Sequence, residues 1–449
     1  MALTDSRRPG RAPREQRPAP ASRRPDWRRP AWLDATGEWV RDRARLLDSP
    51  LATHHVLLAT TSLLVVIGLV MVLSSSSIDS LRASGSAFSV FKNQATFAVL
   101  GAVVLVVASR VPAGWWKRLA LPALGFAVLF QLAVFTPLGD TVGGNRNWVR
   151  VGGFSAQPSE AAKVALVLAL ALALARRRDR LDDPRQLVGA LLPSVGGTVG
   201  LVLLTRDLGT AMVMMAIVVA MLWTSGLPVK FFALAGAAGA AVAVLLVVTS
   251  TNRLHRVEDW LFGTATSGEA IQGVSWQPVQ SQYALASGGF WGLGLGASRE
   301  KWQWLPEAHN DFIFAIIGEE LGLPGTLSVL VLFAVVALAA LRLVRRSPDL
   351  FTKLAVAGFA AWLLGQACLN IGVVLGLLPV IGVPLPFISQ GGSALVVALL
   401  AMGILLSFAR DEPGAPEALK ARESVVARSL AVLPRRRGAA AQRVRGVRR

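Results

Sequence analysis

Residues 305–343 read LPEAHNDFIFAIIGEELGLPGTLSVLVLFAVVALAALRL, and the two halves of this stretch decide how the chain is read. From Phe312 to Leu343 only Glu319, Glu320 and Arg342 carry charge. At ~1.5 Å per residue, about 20 such residues cross a ~30 Å hydrocarbon core, so this run is a membrane span and overshoots one perpendicular crossing. Gly322-Leu323-Pro324-Gly325 inside it predicts a kink, or a first turn standing above the membrane. Ahead of it, Pro306, Glu307, His309, Asn310 and Asp311 crowd six positions, more polar groups than a helix cap needs.

Outward from this stretch, nine further apolar segments qualify: 56–76, 93–109, 119–137, 159–175, 187–204, 208–224, 229–249, 351–378 and 391–409. The fold class is therefore an all-α polytopic membrane protein of about ten transmembrane helices. The 449 residues are 53% hydrophobic and 16% charged, yet carry a net charge of +19. A soluble enzyme, a disulfide scaffold and a coiled coil are excluded. So is a nucleic-acid binder, because the surplus gathers at the chain ends instead of covering a face. Residues 1–55 hold 12 Arg/Lys against 7 Asp/Glu, and residues 410–449 hold 11 against 4. The organisation is a basic, disordered tail over 1–55, a membrane domain over 56–410 and a second basic tail over 411–449. No cleavable signal peptide is expected, and Cys368, alone in an apolar run, can form no intrachain disulfide.

Arg/Lys placement sets the orientation. With both termini cytoplasmic, the inner loops 110–118, 176–186, 225–230 and 342–353 hold 13 cations. The outer side holds ten, four of them on one long loop where the charge rule hardly counts. The outer side also carries the two long connections, 138–158 and 250–311, neither with obvious secondary structure. The larger contains Trp260, Trp276, Trp291, Trp302 and Trp304 together with Gly288, Gly289, Gly292, Gly294 and Gly296, which suits a segment lying on the bilayer surface. Any chemistry is expected at the outer face.

Ionisable groups in or beside spans are the natural functional candidates, since burying them in lipid is costly. Glu160 and Lys163, three apart, share a helix face and can pair, or Glu160 serves only as a first-turn acid behind Pro158 and a capping Ser159. Asp207 caps the sixth span or binds substrate, with Arg206 as its neighbouring cation. Asn310 or Asp311 caps the eighth span, or Asp311, half-desolvated at a bilayer edge, is a general base with Glu307 and His309 beside it. Glu319 and Glu320 are expected to meet a partner inside the bundle. The glycines of 288–296 neither follow a strand nor lead into Lys-Ser/Thr, so they form no phosphate loop. Four His and one Cys offer no zinc spacing. Ser389-Gln390-Gly391-Gly392-Ser393 lacks a nucleophile elbow's setting and is read as a close backbone approach at the start of the tenth span.

Five co-linear segments resemble the SEDS family (shape, elongation, division and sporulation) of polytopic peptidoglycan polymerases. They are GGFSAQPSE at 152–160 with Lys163, DLGTA at 207–211, the run from Ser287-Gly288-Gly289 to Gly296, LPEAHNDFIFAIIGEE at 305–320 and PLPFISQGGS at 384–393. The match spans about 56–410 and leans to the cell-division branch over the elongation branch. Asn147 stands where many members have Arg before the Trp that is Trp148 here. Arg206 likewise replaces a frequent Pro, and Gln390 a frequent Tyr.

The resemblance implies a glycosyltransferase that extends glycan strands from lipid II, the undecaprenyl-pyrophosphate-linked disaccharide-pentapeptide. Asp311 matches the family's essential aspartate, which deprotonates the acceptor hydroxyl for inverting displacement of the lipid pyrophosphate. Glu160, Lys163, Arg146, Arg206, Asp207, Glu307, His309 and Ser389 are the substrate-binding candidates. Lys163, Arg146, Arg206 or a divalent cation, Mg or Mn, would neutralise the leaving group. The expected partners are a class B penicillin-binding protein transpeptidase and other division proteins. A lipid II flippase is the alternative, for which a broken eighth helix with intramembrane Glu319 and Glu320 is suitable. If the enzyme reading is right, Asp311 should face an outward-opening cavity shared with Glu160 and Lys163.

Overall fold

The computed structural model describes residues 49–421, apart from 143–144, 153, 182, 249–253, 255–256, 259 and 261–275. The disorder expected of the tails and the centre of the long outer loop therefore lie outside the described residues. Each of the ten apolar segments is a helix. They are α1 (Ala52–Ser84), α2 (Ser89–Arg110), α3 (Ala113–Leu132), α4 (Pro158–Arg176), α5 (Pro184–Leu204), α6 (Leu208–Thr224) and α7 (Val229–Val248). A short α8 (Trp276–Gly288) precedes the last three, α9 (Ile313–Arg346), α10 (Leu350–Val374) and α11 (Gly392–Arg410). Among the described residues, eight helices are long and apolar enough to cross a membrane, and α6 is a shorter apolar helix of 17 residues. The protein is a multi-pass membrane protein. Its first helix starts at Ala52, inside the predicted tail, and past α11 Glu412 and Ala415 stay buried.

The layering follows from what each helix can bury. The apolar window of α4 is 83% buried, whereas those of α2 and α3 are 22% buried, so α4 is the hub and the others turn valine and phenylalanine outward. A helix that is apolar all round is a core element of such a bundle. At the hub Glu160 and Lys163 are drawn into the interior. α5 is wound as a π-helix over Leu192–Gly200, where Pro193 lacks a donor and Gly196 and Gly197 lighten the turn.

The two long connections correct the expectation that they lack secondary structure. Residues 138–158 contain an antiparallel sheet ordered β1 (Gly139–Val142), β2 (Asn145–Val151), β3 (Phe154–Ala156), with Asp140 opposite Trp148 and Arg150 opposite Ser155. An ion pair of 2.8 Å between Arg150 and Asp140 crosses it. The larger connection contains α8.

The predicted kink is present. Gly322 is non-helical inside α9 (φ 65°, ψ −158°), two residues before Pro324. Backbone amides and carbonyls freed in a membrane helix must find protein partners, and here the glycine-rich run after α8 supplies them. The N–H groups of Leu293 and Gly294 donate to the carbonyls of Glu319 and Glu320 at 2.9 and 3.0 Å, and Leu323 N–H donates back to Phe290 at 3.1 Å. A Cβ on Gly292 (φ +79°) would sit 2.3 Å from the Glu320 carbonyl oxygen. The glycines therefore let one backbone lie against another.

Candidate functional site

Four connections meet at one end of the bundle: the sheet ahead of α4, the turn before α6, the run before α9, and the strap joining α10 to α11. The four non-glycine residues with positive φ among the described residues, Arg206, Gln303, Glu307 and Phe387, all lie in these connections. Such strain persists only where surrounding structure fixes it, and it clusters at working sites.

Glu160 and Lys163 form the expected pair, Nζ donating to Oε1 at 2.9 Å, and both are almost fully buried. Ser159 does not cap this helix. The cap position falls to Gln157, and the buried Ser159 hydroxyl has no hydrogen-bond partner. Lys163 Nζ also donates to Gln366 Oε1 at 2.9 Å and stands 4.6 Å from the centre of the Trp362 ring. With its three neighbours in place, the ammonium is directed at protein, leaving Glu160 to line a small cavity with Gln366, Pro384 and Ser389.

Asp207 is saturated. Its carboxylate accepts from Thr210 N–H (3.0 Å) and Thr210 Oγ1 (2.9 Å), capping α6, and from Asn147 Nδ2 and Gln157 Nε2 at 3.0 Å each. The capping reading accounts for it, and Asn147 is one of its partners. Arg206 is exposed. Arg146, also exposed, donates from Nη2 to the Thr136 carbonyl at 2.7 Å and braces the sheet on α3.

Asp311 differs from Asp207. Neither it nor Asn310 occupies the cap of α9, because that position is Phe312, which makes no side-chain capping bond. Asp311 lines a second, small cavity with Asn370, Ile381, Gly382 and Val383. One cavity shared by Asp311, Glu160 and Lys163 was expected; among the described residues, Asp311 and Glu160 line separate ones. The strap divides them, its 381–383 part facing Asp311 and its 384–389 part facing Glu160. Ser389 ties the strap to the run before α9, donating to the Asn310 carbonyl at 2.6 Å and accepting from Leu385 N–H at 2.8 Å. His309 lies 4.0 Å from Asp79 on α1 and its carbonyl accepts from Gln390 N–H, while Glu307 is exposed. At the start of α11, a Cβ on Gly392 would meet the Phe97 ring at 2.6 Å, so the close approach is to an aromatic side chain.

Glu319 and Glu320 do find partners in the bundle. Glu320 accepts from Ser74 Oγ at 2.7 Å and pairs with buried Lys301 at 3.2 Å, and Glu319 accepts from Arg299 N–H at 2.8 Å. They clamp the glycine-rich run onto α9. Burial, and then the charge of Glu319, push the neighbouring Glu300 carboxyl up to about 7.

Trp362, Gln366 and Asn370 were not among the sequence candidates. They recur every four residues on α10, and two amides four apart in an otherwise apolar span are the signal that could have found them.

These features define a polytopic helical membrane protein with its buried polar groups gathered under one set of connections. The model of the FtsW/RodA/SpoVE cell cycle proteins matches residues 54–413, so the chain belongs to that family. Among similar relatives, the "Probable peptidoglycan glycosyltransferase FtsW" of Mycobacterium tuberculosis is 38% identical over 93% of this chain and 76% of the relative. The stage V sporulation protein E of Bacillus subtilis is 34% identical over 79% of this chain and 96% of its own length. A chain of a peptidoglycan synthase complex, solved in a study of coordinated polymerization and crosslinking, superposes with a TM-score of 0.63 at 28% identity, covering 79% and 97% of the two chains. Rod shape determining protein RodA of Thermus thermophilus gives 0.58 at 27% identity, covering 79% and 96%.

Proposed function

We propose that this chain, an FtsW-like peptidoglycan glycosyltransferase of cell division, polymerises lipid II at the outer face of the cytoplasmic membrane. Asp311 takes the proton of the acceptor sugar hydroxyl as that oxygen attacks the donor's anomeric carbon. The new C–O bond forms on the face opposite the departing undecaprenyl pyrophosphate, which leaves with the bonding pair, so configuration inverts. The single observation that carries this reading is the placement of Asp311. It lies in the run leading into a membrane helix, outside the cap position, and lines a cavity. A general base so placed contributes about 100- to 10,000-fold. Excess positive charge on the opposite loops supports the outward orientation.

Arg206 and Arg146, both exposed, are better placed than Lys163 to meet the pyrophosphate. Among the described residues no three His, Cys, Asp or Glu side chains gather to hold a metal ion. A divalent cation would therefore enter as the counter-ion of the pyrophosphate. The partner is a class B penicillin-binding protein transpeptidase, consistent with the synthase-complex neighbour. The transporter reading loses its main support, since Glu319 and Glu320 are committed to holding the glycine-rich run.

The test is glycan synthesis from lipid II by the full chain with its transpeptidase in nanodiscs. Asp311→Ala should abolish polymer and leave the melting profile unchanged. Polymer made by D311A removes Asp311 from the role.

A further inference from the structure

We propose that Asn370, with Gln366 one turn away on α10, is a positioning residue that registers Asp311 and the Glu160–Lys163 pair against one strap, residues 380–389. The proposal rests on the reading of Asp311 as the base and goes beyond it. Both amides are nearly fully buried in an apolar span, where an unsatisfied amide is costly, so their hydrogen bonds fix their orientation.

The Asn370 NH₂ donates to the Asp311 carbonyl at 2.7 Å and to the Val383 carbonyl at 2.8 Å. Two carbonyl acceptors leave only one way to orient the amide. Its Oδ1 is then turned elsewhere and has no hydrogen-bond partner among the described residues. Gln366 repeats the arrangement, donating to the Pro384 carbonyl at 2.8 Å and accepting from Lys163 Nζ and from Trp362 Nε1 at 2.8 Å. Consecutive strap carbonyls, 383 and 384, are thus held by amides four residues apart, one amide reaching the Asp311 backbone and the other reaching Lys163.

The strap in turn shapes the surroundings of the carboxylate. Gly382 is at φ +75°, and a Cβ there would lie 3.6 Å from Asp311 Oδ2. Buried Phe387 is held at φ 67° in the same segment. Moving the strap therefore moves the wall that faces Asp311.

The experiment uses the full chain with its transpeptidase in nanodiscs, with lipid II as substrate. Initial rates over substrate concentration are measured for wild type, Asn370→Asp, Gln366→Ala and Asp311→Ala, alongside thermal unfolding. Asn370→Asp keeps the size but sets a carboxylate against two carbonyls. Its kcat should fall about 100-fold, the scale of an ~1 Å misplacement, with KM within about threefold. Gln366→Ala should lower kcat by less. Turnover per folded N370D molecule within threefold of wild type, or a change confined to KM, overturns the proposal while leaving a dead D311A and its reading intact. An active D311A fails the underlying reading instead. If N370D does not fold, Asn370→Ser, which keeps one donor, decides by the same split. Failure of both to fold assigns Asn370 to structure alone and also overturns the proposal.

Discussion

Asp207 and Asp311 stand at the starts of two helices at the same end of the bundle, in TRDLG and HNDFI, and a helix-cap reading was open for each. One is consumed by the fold: four donors surround its carboxylate, two of them from its own helix. The other leaves the cap position to Phe312 and lines a cavity. A carboxylate surrounded by backbone and side-chain donors is held still, which suits a brace. The other, Asp311, lines a cavity, and it is the one for which the proton-accepting role is proposed.

The largest expected effect tests the Asp311 side. Asp311→Asn should reduce glycan synthesis about 100- to 10,000-fold, measured as polymer from lipid II, with the unfolding temperature unchanged. Lys163→Met isolates the buried pair, in which Lys163, like Asp207, is held by several neighbours. Removing the cation leaves Glu160 as an uncompensated buried charge, costing about 3–5 kcal/mol, to be read from unfolding in detergent. The double variant E160Q/K163M should regain most of that loss. Asp207→Ala should cost about 1–2 kcal/mol for the cap, with turnover per folded molecule near that of wild type. A D207A protein that folds normally but makes no polymer reverses the comparison.

The smallest effect concerns pH. Glu300 titrates near 7 in the fold against an ordinary 4.5, because burial and Glu319 disfavour its charge. Between those values the folded chain keeps a proton that the unfolded chain has released. The stability linked to this group is therefore greatest below about pH 4.5 and declines until about pH 7. Hydrogen exchange in residues 288–312 should be faster at neutral than at mildly acidic pH, after correction for intrinsic rates, and Glu300→Gln should flatten that difference.

The ten apolar segments, the break at Gly322 and the pairing of Glu160 with Lys163 were legible in the sequence. Each depends on length, hydropathy or spacing within one helix. The five motifs also located the polar end of the bundle. The capping alternatives, Ser159 and Asn310 or Asp311, did not form, because the residue at which a chain enters a helix depends on how the preceding connection is anchored. The sheet in 138–158 was missed because its strands are short and interrupted by glycine. The role of the 288–296 glycines depends on α9, which starts only after another 16 residues.

By itself, then, the sequence determined that this is a membrane bundle, which way its charge directs it, where its longest helix breaks and which family it resembles. These are sums of local terms: apolar length against bilayer thickness, cations against loop position, φ freedom at glycine. The tertiary structure alone decided which aspartate is braced and which lines a cavity, that two cavities share one strap, and that Gln366 and Asn370 hold it. Those outcomes rest on donors and acceptors about 10 to 200 residues apart in the chain. Burial in a low-dielectric interior makes such partnerships obligatory, and only the packed bundle determines which groups meet.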